Sequence, residues 1–313
     1  MAETRKVGSL DVTVAGLGCN NFGMRLDEER AKAVVDACFE AGLNNFDTAE
    51  SYGGGKSEEF LGRALGSRRS EAVITTKVSG FGAPEGVSRG SAECIARAVD
   101  NSLQRLGTDY IDLYLLHMPD AETPIGETLE AFGKLVAAGK VREIGCSNFS
   151  AQMLEEAAAA AKELGVPQFV NVQNNYSLLD RTPEGEVIPA CEKLGITFMP
   201  YFPLASGVLT GKYKRGEAAP EGTRLAAWGD RAKPMLADDR MDAVDRLTAY
   251  AKDHGHTLPE LALSYLAGTP TVASVIAGAT SPEQVKANAA ATTAWVLTDT
   301  ERVEVRELAN VGG

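Results

Sequence analysis

The chain has 313 residues, of which 44% are hydrophobic and 24% charged, and a formal net charge of −12. That balance is ordinary for a globular enzyme with one large core. It argues against a nucleic-acid backbone as partner, because such binders need clustered Lys and Arg. Five scattered cysteines (Cys19, Cys38, Cys94, Cys146, Cys191) form no CxxC pair. An odd, dispersed set reads as reduced thiols, not as a disulfide framework or zinc site. Three histidines are too few for most His-based metal centres, so no metal is expected. MAETRKVGSL lacks the apolar run of a signal peptide, and no stretch approaches the roughly 20 apolar residues that cross a bilayer. The expectation is a soluble, cytoplasmic protein, monomeric by default.

Taken in chain order, KVGSLDVTV reads as a small hairpin ahead of the first strand. Eight apolar runs then read as strands: VAGLG (14–18), LNNFDT (43–48), AVITTKV (72–78), YIDLYLLHM (110–118), REIGCSN (142–148), FVNVQNNY (169–176), TFMPYFPL (197–204) and VASVIAGA (272–279). Helical patterns separate them: EERAKAVVDACFEAG, SEEFLGRAL, AECIARAVDNSLQRLG, IGETLEAFGKLVAAG, SAQMLEEAAAAAKELG and PEGEVIPACEKLG. DRMDAVDRLTAYAKDHG and PELALSYLAG precede the last strand, and SPEQVKANAAA follows it. Ser150 and Thr123–Pro124 are helix-start signals, and Gly42, Gly107, Gly139, Gly165, Gly195 and Gly255 sit where helices end. Regular strand–helix alternation implies a parallel sheet. Eight units favour an α/β chain folded as one (β/α)8 TIM barrel over residues 1–313, with the N-terminal hairpin and extra helices near the C-terminus. An open doubly wound sheet is the alternative. The longest break in the rhythm, 205–237, is the expected functional loop.

In such a barrel the chemistry sits at the carboxyl ends of the strands. Strand two ends in Asp47, followed by Tyr52 and three glycines. Strand three carries Lys77, strand four ends in His117, and strand five in Ser147 and Asn148. Strand six carries Gln173 and Asn174, and strand seven delivers Tyr201. Singly, each has a plainer role: a capping Asp, a Lys reaching for solvent, a rim His. Converging on one face, they argue for a site.

These residues resemble the aldo-keto reductase superfamily, in the bacterial type close to the channel-beta-subunit-like branches. FDTAESYG with GGGKSEEFLGRAL behind it, TTKV, LYLLHMPD, GKVREIGCSNFS, PLASGVLTGKY and GATSPEQVKAN carry the likeness, in order, over essentially the whole chain. The resemblance implies hydride transfer from NADPH to the carbonyl of a small aldehyde or ketone. It makes Tyr52 the general acid, with Lys77 as the cation that lowers its pKa, Asp47 holding Lys77, and His117 assisting at the substrate oxygen. There is no G-x-G-x-x-G after the first strand, so a dinucleotide fold of that kind is not expected. Instead the resemblance gives the nicotinamide carboxamide to Ser147, Asn148 and Gln173, and ring stacking to Tyr201. It gives the pyrophosphate to the loop containing Phe202, Pro203, Leu204, Ala205, Ser206, Leu209 and Lys212, with Arg224 on phosphate. Gly278, Thr280, Gln284 and Asn288 fall to the adenosine end, and Gly18, Cys19, Asn20 and Asp47 line the cofactor from the first two strands.

The sequence departs from the pattern in places. Gly278-Ala279-Thr280 lacks the Lys or Arg many relatives carry there, and Ala287 replaces a common Glu, so NADPH is favoured but NADH is possible. Cys19-Asn20 stands for Thr-Trp, and Phe202 for Ser. Substrate contacts are expected from Asn20, Phe22, Met24, Met118 and Trp228. Two other readings stand beside the reductase: a nucleotide-binding regulatory or partner subunit with weak turnover, and a barrel aldolase or isomerase using Lys77 as a Schiff-base former.

Overall fold

In the computed structural model, which describes residues 2–311, the alternation closes on itself. A hairpin, β1 (Thr4–Val7) and β2 (Leu10–Thr13), precedes the barrel. The barrel strands are β3 (Ala15–Gly18), β4 (Asn45–Asp47), β5 (Val73–Val78), β6 (Ile111–Leu116), β7 (Val141–Ser147), β8 (Asn171–Asn175), β9 (Thr197–Tyr201) and β10 (Val275–Gly278). They pair in parallel in sequence order, and β10 closes the ring between β9 and β3.

Helices α1 (Glu28–Glu40), α2 (Lys56–Leu65), α3 (Ala92–Leu106), α4 (Ile125–Ala137), α5 (Ala151–Leu164) and α6 (Val187–Leu194) follow β3 to β8 in turn. After β9 come α7 (Arg224–Trp228), α8 (Asp238–Asp253) and α9 (Leu258–Ala267), and after β10 come α10 (Pro282–Thr292) and α11 (Asp299–Leu308). Ser150 caps α5 by accepting from the Met153 amide, whereas Pro124 starts α4 with no side-chain cap. Among the described residues, no helix is long and apolar enough to cross a membrane.

Several elements are shorter than the apolar runs that announced them. TFMPYFPL leaves the sheet after Tyr201, because Phe202 takes φ 54° and Pro203 has no N–H to give. In VASVIAGA, Val272 only bridges Phe198, and the ladder begins at Val275. The segment 205–237 is not bare loop: it holds a tight turn at Ala205–Thr210, α7, and a second turn at Gly229–Leu236.

Alternation along each strand sorts side chains into two layers. Ile74, Tyr114, Leu116, Cys146, Val172 and Phe198 face outward into one large core beneath the helices. Val73, Leu113, Leu115, Met199 and Ile276 face inward and pack with Val7, Leu10 and Val12 of the hairpin, which thereby plugs the amino end of the barrel. The same parity continues upward to Asp47, Lys77, His117, Ser147, Gln173 and Tyr201.

Candidate active site

The inward positions above the apolar floor are polar. Lys77 Nζ donates to Asp47 Oδ1 at 2.7 Å and to the Thr48 carbonyl at 2.7 Å, with the lysine wholly buried. Gln173 Nε2 donates to the same Asp47 oxygen at 2.7 Å. Burying these charges is tolerable only because each is paired and hydrogen-bonded. Lys77 therefore does not snorkel. Burial pulls its pKa down, but Asp47 and Tyr52 push harder, and the ammonium ends above its ordinary value.

Tyr52 is brought over this pair by a turn. The chain leaves β4 at Asp47, fastens Glu50 N to the Lys77 carbonyl at 3.3 Å, and winds through Tyr52–Gly55. Gly53 sits at φ 59°, and a Cβ there would lie 2.7 Å from the Phe22 carbonyl oxygen, so the turn admits only glycine. The half-buried Tyr52 ring lies with its centroid 5.2 Å from Lys77 Nζ and meets the His117 ring edge-on at 5.8 Å.

The electrostatics differ from expectation in direction. Burial raises the Tyr52 phenol above its ordinary 10.0, and Lys77 offsets that only in part, with Asp47 adding to the rise. The phenol thus stays protonated throughout the neutral range. Burial, with the charges of Lys77 and Arg89, lowers the His117 imidazole from 6.5 to about 3, so the ring is neutral. Its Nδ1 is buried without a partner. A neutral His with a phenol beside it offers hydrogen-bond donors, not a second cation.

A hydrogen-bonded chain runs from this centre toward β9. Tyr201 Oη donates to Asn148 Oδ1 at 2.7 Å, Asn148 Nδ2 to Ser147 Oγ at 3.1 Å, and Ser147 Oγ to the Gln173 carbonyl at 2.6 Å. Asn148 Nδ2 also reaches the His117 carbonyl at 2.9 Å. Asn174, by contrast, turns away and donates to the Phe149 carbonyl.

Among the described residues, every non-glycine with positive φ lies here: Asn148, Phe202, Ala205 and Ser206. Such backbone persists only where the surroundings enforce it, and it clusters at functional sites. The last three belong to the loop after β9. Beyond that loop, Arg224 is half-buried and its guanidinium lies 5.2 Å from the Phe202 ring centroid. Gly278 is exposed at the end of β10, Asn288 Nδ2 donates to its carbonyl at 3.4 Å, and Thr280 is bonded to Gln284.

No carboxylate stands within salt-bridge distance of Arg25, Arg89, Lys212 or Arg224 among the described residues. Unneutralised cations around the mouth of a chain with net charge −12 fit a phosphate-bearing ligand.

Three expected contacts need correction. The side chains of Cys19, Phe22 and Leu209 show no exposed surface and pack into the core, so they support the site walls from behind. Met24 and Met118 are exposed on the loops above the strands, Trp228 is exposed at the end of α7, and Asn20 touches Arg224 at 3.5 Å. Two mouth residues escaped the sequence reading, Phe81 and Arg89. Their only signal was an aromatic and a cation in the Gly/Pro-rich loop after β5, SGFGAPEGVSRG.

A closed parallel barrel that gathers its titratable groups at the strands' carboxyl ends belongs to the broad class of (β/α)8-barrel enzymes. Residues 15–310 match the Aldo/keto reductase family, and the chain belongs to it. That family uses nicotinamide cofactors. A probable voltage-gated potassium channel subunit beta of Oryza sativa subsp. japonica is 38% identical over 273 residues, 85% of this chain and 83% of its own length. An NADH-specific methylglyoxal reductase of Escherichia coli (strain K12) is 32% identical, covering 97% of both chains. An L-glyceraldehyde 3-phosphate reductase of the same organism is 31% identical over 86% of this chain and 80% of its own.

Proposed function

We propose that the protein reduces the carbonyl of a small aldehyde or ketone with NADPH, with Tyr52 as general acid. The observation that carries this reading is the buried Lys77–Asp47 pair beneath a half-buried Tyr52 that faces the mouth beside a neutral His117. The bound nicotinamide supplies the hydride. Tyr52 gives its phenolic proton to the carbonyl oxygen as negative charge grows there. Lys77, fixed by Asp47 and the Thr48 carbonyl, stabilises the phenolate left behind. His117 orients the carbonyl by donating a hydrogen bond from its outer ring nitrogen.

Ser147, Asn148 and Gln173 hold the carboxamide, and Tyr201, pinned through its hydroxyl, presents its ring to the nicotinamide. Gly18, Asn20, Phe202, Pro203, Leu204, Ala205, Ser206, Lys212 and Arg224 take the pyrophosphate side. Gly278, Thr280, Gln284 and Asn288 take the adenosine end. The segment 278–280 carries no cation, but Arg30 of α1 reaches its edge, with Nη2 at 3.5 Å from the Thr280 carbonyl. Arg30 there supports NADPH, although the methylglyoxal-reducing relative is named for NADH. The names of the two bacterial relatives support small, oxygen-rich aldehydes as substrates.

A nucleotide-binding partner subunit is the second reading, favoured by the plant relative named as a channel subunit. The decisive experiment measures NADPH and NADH oxidation against aldehydes, α-dicarbonyls and ketosteroids, with wild type and Tyr52→Phe. Turnover that falls about 10²–10⁴-fold in Tyr52→Phe, with nucleotide affinity retained, sustains the general-acid role. Tight nucleotide binding with no turnover on any carbonyl moves the assignment to the partner subunit.

A further inference from the structure

Across the ring from β9, the loop between β5 and α3 holds one side chain that the reduction mechanism does not use. Arg89 is half-buried, and its guanidinium has neither a carboxylate partner nor a hydrogen-bond acceptor among the described residues. Arg69 and Arg105, also partly buried, each grip a buried carboxylate, and Arg97 of α3 gives Nη1 to the Gly82 carbonyl of this loop. A half-buried guanidinium whose donors meet no protein acceptor keeps them free for water or for a ligand.

The loop that carries it is fixed at both ends. Glu50 Oε1 accepts from Ser79 N at 2.6 Å, Ser79 Oγ at 3.1 Å and Phe81 N at 3.1 Å. Asp120 Oδ2 accepts from Ser88 Oγ and from Gly90 N, the latter at 2.7 Å, and so clamps the residues on either side of Arg89. Asp120 Oδ1 is engaged by Glu122 N at 3.1 Å, so the carboxylate is spent on the backbone. Gly90 admits no side chain: a Cβ there would lie 2.8 Å from both Asp120 Oδ2 and Thr128 Oγ1.

The loop's neck closes where a Cβ on Gly80 would stand 3.4 Å from Arg89 Cβ. Two residues before Gly80, the Val78 carbonyl accepts from His117 N at 2.9 Å. The clamp therefore holds Arg89 close to the end of β5 that is bonded to His117, the residue assigned to the substrate oxygen, and Phe81 and Met118 are both exposed. The effect of its charge on the His117 imidazole agrees with that placement.

We infer that Arg89 is a specificity residue that binds an anionic group of the substrate, so that the preferred substrates are aldehydes bearing a carboxylate or phosphate a few atoms from the carbonyl. The inference rests on the reductase reading. Arg suits either anion because its planar fork binds both in bidentate fashion. Asp120 acts through the loop and is a positioning residue.

The test compares kcat/KM for matched pairs: succinic semialdehyde against butanal, and glyceraldehyde 3-phosphate against glyceraldehyde. Wild type should prefer the anionic member by about tenfold or more in at least one pair, and the pair concerned identifies the anion. Arg89→Met should bring that ratio to about one, with the loss carried mainly by KM, and Arg89→Lys should lie between. A second measurement needs no variant: 4-hydroxybutyrate should inhibit wild type about tenfold more tightly than butanol. Equal use of both members of both pairs by an active wild type overturns the inference and leaves the reductase standing. So does a preference that survives Arg89→Met. A folded, nucleotide-binding protein that reduces no carbonyl overturns the reductase reading and this inference with it.

Discussion

Lys77→Met tests the heart of the site. The substitution keeps the length and apolar stem of the side chain and removes only the ammonium. Asp47, 3% exposed, then keeps one donor on Oδ1, from Gln173, and the Thr48 carbonyl loses its partner. Removing one member of a buried pair costs about 3–5 kcal/mol, and the surviving Gln173 bond puts the expected loss near the lower end. Adding Asp47→Asn removes the stranded charge and should return about 2 kcal/mol. Urea unfolding followed by far-UV circular dichroism measures both.

The pH dependence of the loss follows from linkage. The folded-state pKa of Lys77 lies above its ordinary 10.5, so the folded protein holds this proton more tightly than the unfolded chain. Its stabilisation is fully present below pH 10.5 and fades only as pH rises through the folded value. The gap between wild type and Lys77→Met should therefore be constant from neutral pH to about pH 10. A loss below about 1 kcal/mol, with no recovery on adding Asp47→Asn, would refute a charged, dehydrated pair.

Two further outcomes follow from the electrostatics. His117 binds a proton at 6.5 when unfolded but only near 3 when folded, so acid favours the unfolded chain between those values. Stability should decline as pH falls through that window, while kcat/KM shows no imidazole inflection near neutrality; an inflection near 6.5 that disappears in His117→Gln would contradict the neutral ring. Arg30→Ala should raise KM for NADPH about five- to tenfold through loss of a charge-assisted contact, with KM for NADH little changed. Equal changes for both nucleotides would remove Arg30 from phosphate recognition.

The barrel was legible because its signals are periodic and repeated. Gly107, Gly165 and Gly195 take left-handed conformations where helices end, as their positions suggested. Asp47, Lys77 and Gln173 meet because each sits at an inward position near a strand's end, and strand parity is readable from sequence. What escaped depends on long-range packing. Nothing local marks Phe202 as the residue that breaks the seventh strand by taking positive φ, since an apolar run ahead of a Pro reads equally well as extended chain. The direction of the Tyr52 shift escaped as well. Sequence places a cation near the phenol, but only the fold shows that desolvation outweighs it. Arg89 was invisible because its meaning lies in the Asp120 clamp, 31 positions away in the chain.

Motif reading also conflates two jobs that the structure separates. In the loop after β9, Ala205 and Ser206 adopt positive φ, at a cost of the order of 1 kcal/mol or more each. Something must hold them there. Ala205 N donates to the Phe202 carbonyl at 2.8 Å, and Gly207 N to the Leu204 carbonyl at 2.8 Å. Beneath them Val208 and Leu209 are buried in the core and anchor the turn. Leu209 thus looks like a ligand residue in sequence because it shares a motif with ligand residues, yet its work is to keep the backbone above it strained. Cys19 and Phe22 bear the same relation to Tyr52. The Cys19 carbonyl accepts from Ser57 Oγ, and the Phe22 carbonyl sets the limit that Gly53 alone can meet. Substitutions at Cys19, Phe22 and Leu209 should therefore act on the placement of the site through folding stability, whereas substitutions at Tyr52 and Arg89 should act on the proposed reaction and its substrates directly.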